Sequence, residues 1–87
     1  MATHLTTALV PEGIGLHARP AALFVQQAAS FSSTIRLTCD ERTADGKSIL
    51  GVLQLGASAG SRVEIRAEGD DAEAAAEALA AFIRTIA

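Results

Sequence analysis

Arg62-Val63-Glu64-Ile65-Arg66-Ala67-Glu68 alternates charged with apolar residues over its whole length. Successive side chains of a strand point to opposite faces, so Val63, Ile65 and Ala67 share one face. Arg62, Glu64, Arg66 and Glu68 share the other, which reads as solvated. A strand wetted on one side only belongs in an antiparallel sheet whose helices gather on the dry side. The rest of the 87 residues must supply partners for this strand and a cover for its apolar face.

Working outward, Asp70 with Glu73 three residues on has the spacing of a capping box. It opens a final helix whose Ala72, Ala75, Ala76, Leu79, Phe82, Ile83 and Ile86 fall on one stripe. On the other side, Ser48 is suited to cap a short helix over Ile49–Leu55, and Gly56 to close it. Asp45-Gly46 marks a turn before it. Ile35, Leu37 and Cys39 alternate with Thr34, Arg36 and Thr38, a half-buried strand. Asp40 and Glu41 then turn the chain into a short strand near Arg42–Ala44. A helix from about Ala18 to Ser30 tolerates Pro20 in its first turn and places Ala21, Phe24, Val25 and Ala28 on its buried stripe. Near the N-terminus, Leu5, Thr7 and Leu9 alternate with His4, Thr6 and Ala8. This assigns a first strand with His4 on its polar, solvated side. The order is strand, helix, strand, strand, helix, strand, helix: an α+β fold, a four-stranded antiparallel sheet covered on one face by three helices.

The length allows one domain spanning residues 1–87. Apolar residues make up 49%, many of them alanine, enough for a small core. A net charge of −3, with three Phe and neither Trp nor Tyr, excludes nucleic acid as the main partner. The single Cys39 forms no internal disulfide, is expected in the core, and leaves no cysteine pair for zinc, so no metal or cofactor is expected. Residues 1–10 have no basic region followed by an apolar run, and no apolar run approaches the length of a membrane span, so a cytoplasmic protein without membrane insertion is expected. Charge is unevenly placed. Between Gly13 and Cys39 the formal charges are Arg19 and Arg36; between Gly46 and Val63 they are Lys47 and Arg62. If these stretches lie side by side, they make a neutral-to-basic face for an acidic partner or an anion.

Gly15-Leu16-His17-Ala18-Arg19-Pro20-Ala21 carries the chemistry. A histidine stands where a glycine-bearing loop enters a helix. The first helical N–H groups have no intrahelical partner there and carry partial positive charge, so they form an anion site. Arg19 adds a fixed charge and several donors for phosphate oxygens. A neutral imidazole at pH 7 is nucleophilic enough to accept a phosphoryl group, which the surrounding donors would then stabilise. A histidine at a helix start is in most proteins a surface or capping residue, so spacing alone leaves both readings open. A freestanding enzyme is disfavoured, because no second acid, base, nucleophile pair or metal cluster accompanies His17.

The run Gly15–Ala21 resembles the active-site signature of the HPr family of phosphocarriers. Lys47-Ser48-Ile49-Leu50-Gly51-Val52-Leu53 with Leu55-Gly56 resembles that family's second characteristic segment. The resemblance covers essentially the whole chain and implies an open-faced sandwich of the β-α-β-β-α-β-α type. It implies that His17 accepts phosphate at Nδ1 from phosphorylated Enzyme I of the sugar phosphotransferase system and passes it to sugar-specific IIA domains. Arg19 would assist, with the backbone of Ala18 and Arg19 binding the phosphate. The carrier would be a stoichiometric, monomeric protein and not an enzyme. Ile14 departs from the small polar residue often found before the glycine, so any help from a polar side chain there is absent.

Ile49, Leu50, Val52, Leu53 and Leu55 leave the short helix almost no polar side, with Gln54 the exception. Either the helix is deeply buried or its surplus apolar residues are exposed for docking. The resemblance favours docking, through Ala18, Ala22, Ile49, Leu50, Leu53 and Gln54. It also places Ser48 where a regulatory serine kinase/phosphorylase acts in some family members. That suggests an alternative, a regulatory protein whose state at His17 and Ser48 is read by partners such as a transcriptional regulator in carbon or nitrogen control.

Overall fold

The structure is a computed structural model and describes residues 2–11, 18–58 and 60–85, with the side chain of residue 18 outside the description. Its elements run β1 (Ala2–Leu9), α1 (Ala18–Ala29), β2 (Thr34–Cys39), β3 (Arg42–Asp45), α2 (Ile49–Leu55), β4 (Arg62–Gly69) and α3 (Ala72–Arg84). The strands form one sheet in the order β1-β4-β2-β3, and every neighbouring pair is antiparallel. Val63, Ile65 and Ala67 of β4 are fully buried, as are Ile35, Leu37 and Cys39 of β2, while their alternates face solvent. The core is completed by Ala21, Phe24 and Ala28 of α1, Val52 and Leu55 of α2, and Ala75, Ala76, Leu79 and Ile83 of α3. Phe24 and Phe82 meet edge-to-face with ring centroids 5.9 Å apart, locking α1 to α3. Ile86, expected on the α3 stripe, lies outside the described residues.

The face of β1 is the reverse of the one read from sequence. Leu5 and Leu9 are 51% and 57% exposed, whereas Ala8 is buried and His4 and Thr6 are half-buried. The register explains it. His4, Thr6 and Ala8 stand opposite Ala67, Ile65 and Val63, and directly paired residues of an antiparallel ladder share a face. The strong alternation of β4 therefore sets the orientation of the weakly patterned β1. His4 is consequently not just solvated. It faces α3, and its Nε2 lies 2.8 Å from Oε2 of Glu77.

The expected capping box at Asp70 and Glu73 does not form. The helix starts one residue later, with Asp71 at the N-cap and no side-chain bond to the helix. The Asp71 carboxylate instead turns to the α1–β2 loop, where Oδ2 accepts from Ser32 N at 2.9 Å and Oδ1 accepts from Ser33 N at 3.0 Å and Ser33 Oγ at 2.5 Å. These bonds, the Ser33 hydroxyl first among them, stabilise the ionised form and hold the carboxyl down from 3.8 to about 2. Gly69 makes the approach feasible. At φ 149° its backbone favours glycine, and a Cβ there would lie 2.5 Å from Ser33 Oγ and 2.8 Å from Ser33 Cα.

Candidate phosphorylation site and docking face

β1 and β2 are both antiparallel to β4, so they are parallel to each other, and α1 is the crossover between them. A crossover helix returns along the sheet, which puts the start of α1 at the end where β1 finishes. That end is tied down beyond the strand itself. Val10 N donates to Ser61 O at 2.9 Å, and Gly60 N donates to Val10 O at 2.8 Å. Between this clamp and Ala18 runs the segment that carries the histidine. His17, with Ile14 and Gly15, lies outside the described residues; its place is fixed by the chain as the residue immediately before α1.

The described residues begin with the helix start itself. Ala18 and Arg19 open α1, so their N–H groups belong to the first turn, which lacks intrahelical acceptors. Pro20 follows at a position where no N–H is required. No acidic residue stands in that turn to neutralise its partial positive charge, and the Arg19 side chain is exposed. Down the outer face of α1, Ala22 is half-buried, while Leu23 and Gln26 are exposed. Leu23, 49% exposed, was missed in the sequence reading. The available signal was its spacing, four residues after Arg19 and one position off the buried stripe.

α2 packs against α1, and its apolar residues divide between buried and exposed positions. Val52 and Leu55 are buried, whereas Ile49, Leu50 and Leu53 are 47%, 61% and 37% exposed, with Gln54 exposed beside them. The helix is held at both ends. Ser48 caps it, its Oγ accepting from Gly51 N at 3.0 Å, and Gly56 closes it at φ 69°. A Cβ on Gly56 would stand 2.6 Å from Nη1 of Arg42, so this cation sits at the C-terminus of α2, where the helix dipole favours it. Lys47 Nζ donates to Phe31 O at 2.7 Å and fastens the start of α2 to the chain leaving α1. The helical parts of the two neutral-to-basic stretches are thus neighbours, whereas their Arg36 and Arg62 stand on the solvent face of the sheet. Cys39 is a buried free thiol, and no helix among the described residues is long and apolar enough to cross a membrane.

The fold and site together define a class: a small open-faced sandwich with a histidine feeding directly into an anion-competent helix start. The family profile described as the PTS HPr component phosphorylation site matches residues 6–85, and the chain belongs to this HPr family of phosphocarriers. The phosphocarrier protein HPr of Lysinibacillus sphaericus is 41% identical over 83 residues, covering 95% of this chain and 92% of that one. The HPr-like protein Crh of Bacillus subtilis is 46% identical over 70 residues, covering 80% and 82%. The crystal structure of HPr from Bacillus anthracis matches with a TM-score of 0.89 at 44% identity, over 95% of this chain and 99% of that one. Crh matches with a TM-score of 0.77 at 44% identity, over 84% of each chain, in a crystal structure described as a swapped dimer. The expectation of a monomer therefore gains no support from this relative.

Proposed function

We propose that the chain is a stoichiometric phosphoryl carrier of the sugar phosphotransferase system, acting in the cytoplasm. Neutral His17 attacks the phosphoryl group of phosphorylated Enzyme I through Nδ1. The new N–P bond forms as the bond to the donor breaks. The phosphoryl oxygens then lie against the first-turn N–H groups of Ala18 and Arg19 and the Arg19 guanidinium. These donors oppose negative charge without a metal ion. A IIA domain takes the group onward by the reverse chemistry. Partners dock on Ala22, Ile49, Leu50, Leu53 and Gln54 beside the site. The observation that carries the reading is the Gly15–Ala21 signature set immediately at the start of α1.

The test is intact-mass analysis after incubation with Enzyme I, magnesium and phosphoenolpyruvate. One acid-labile phosphoryl group is expected, absent from a His17→Ala variant that still melts cooperatively. No added mass with active Enzyme I would overturn the reading.

A regulatory reading has its own support in the likeness to Crh, whose solved structure is described as that of a catabolite repression protein. Ser48 is half-buried at the N-cap of α2, next to exposed Ile49 and Leu50. A phosphate there would be tolerated by the helix end yet would repel an acidic partner approaching the same face. Phosphorylation of Ser48 by a serine kinase, with altered binding to a transcriptional regulator, would separate this role from carriage to a IIA domain.

A further inference from the structure

Of the chain's seven lysines and arginines, Arg19, Arg42, Arg62 and Arg84 come from four different elements. The topology gathers them at the end where α1 begins. Arg19 opens α1, and Arg42 sits against the C-terminus of α2 on the docking face already described. Arg62 and Arg84 belong to neither. Arg62 is the first residue of β4, opposite Leu9, and Arg84 is the last residue of α3.

These two arginines line one surface cavity of about 390 Å³, together with Thr7, Ala8 and Leu9 and with no carboxylate among these residues. The cavity is built. Arg84 Nη2 donates to Thr7 O at 2.8 Å, which fixes the guanidinium against β1, an edge strand. Among the described residues neither arginine takes part in an ion pair. The Phe24–Phe82 contact gives the level of Arg84 relative to α1. From Phe24 the helix α1 climbs about 9 Å to Ala18, and from Phe82 the antiparallel α3 climbs about 3 Å to Arg84, at roughly 1.5 Å per residue. Arg84 therefore stands about 6 Å below the level where α1 begins. A protein reaching that helix start from the α3 side meets this cavity at the margin of its contact.

We propose that Arg62 and Arg84 form a second contact for the phosphoryl-donor protein, receiving carboxylates at the rim of its docking surface. The proposal rests on the carrier reading above and extends it from the α1–α2 face round to the β1–β4–α3 side. Charge complementarity identifies the partner chemistry: two fixed guanidinium groups on a chain of net charge −3 select acidic groups on the partner.

Steady-state phosphorylation by Enzyme I tests it with Arg62→Glu and, separately, Arg84→Gln, each checked for an unchanged melting profile. The expected result is a KM for the carrier raised about three- to tenfold in Arg62→Glu, with kcat kept and a weaker dependence on salt. Arg84→Gln should move KM the same way by less. Unchanged KM and salt dependence in both, with the unaltered protein phosphorylated normally, would overturn this surface while leaving the carrier reading intact. Absence of phosphorylation in the unaltered protein would remove both. A second readout is titration with inorganic phosphate, followed by the amide resonances of Thr7 to Leu9. Saturable shifts there, with no effect of Arg62→Glu on Enzyme I, would assign the cavity to a free anion and overturn the proposal.

Discussion

Asp71 shows how a single residue takes a role that local spacing does not disclose. It stands just before α3, where Asp is a familiar capping residue, yet its three hydrogen bonds run to Ser32 and Ser33 in the α1–β2 loop. The partners are 38 and 39 residues away, so no short-range pattern reveals them. Once the fold brings them together, the carboxylate outcompetes the capping role because it collects two backbone N–H groups and a hydroxyl at once. The sign of the pH dependence follows. Its folded-state pKa is depressed from 3.8 to about 2, so the stabilisation is fully present above about 4 and is lost as pH falls toward 2. Thermal melts of wild type and Asp71→Asn at stepped pH should therefore differ at pH 6 and converge near pH 2, judged against that window. A gap between the two that is independent of pH would mean the charge of Asp71 contributes nothing.

At the level of elements, legibility follows contrast. β4 and β2 each alternate cleanly and were readable, as were the Ser48 and Gly56 boundaries of α2, because those signals are local chemistry. β1 was found as a strand but with its faces exchanged. Its two candidate faces, Leu5-Thr7-Leu9 and His4-Thr6-Ala8, differ little, and the decision belongs to β4 through the register. For α2 the sequence revealed a surplus of apolar residues but not which were surplus; packing against α1 and the sheet decides it. That division predicts two different phenotypes on one short helix. Leu50 is 61% exposed, so Leu50→Ser should change stability by no more than about 0.5 kcal/mol. The same substitution should raise the KM for Enzyme I about tenfold, as loss of a central apolar contact does. Leu55 is 1% exposed, and Leu55→Ala should lower unfolding free energy by about 2–5 kcal/mol through loss of burial and the cavity left behind. Denaturant unfolding with matched transfer kinetics distinguishes them; a Leu50→Ser variant as unstable as Leu55→Ala would show that α2 is a core helix and nothing more.

For the whole molecule, the charge distribution was only half visible beforehand. The basic residues of the two stretches, Arg62 among them, were apparent, but that Arg84 shares an end with Arg62 depends on strand order and on the return of α3 along β4. The histidine reading differs in kind, since the Gly15–Ala21 signature it rests on is contiguous and needs no tertiary context. Toward the other end Asp45 closes β3 and Asp70, Asp71 and Glu73 surround the start of α3, while Asp40 and Glu41 of the β2–β3 turn stay at the end where α1 begins. A protein of net charge −3 thus still gathers Arg19, Arg42, Arg62 and Arg84 at the end where α1 begins. Steering depends on this arrangement and not on the net charge, because at physiological salt fields reach only about 8 Å. Glu73 is exposed, so Glu73→Gln removes a negative charge at the distant end. It makes the protein as a whole less acidic, yet it should leave kcat/KM with an acidic Enzyme I unchanged. Adding salt from about 50 to 500 mM should lower kcat/KM for wild type several-fold through screening of the near arginines. If Glu73→Gln instead accelerates transfer as strongly as Arg62→Glu slows it, association responds to total charge, and the clustering of arginines at the α1 end has no part in recognition.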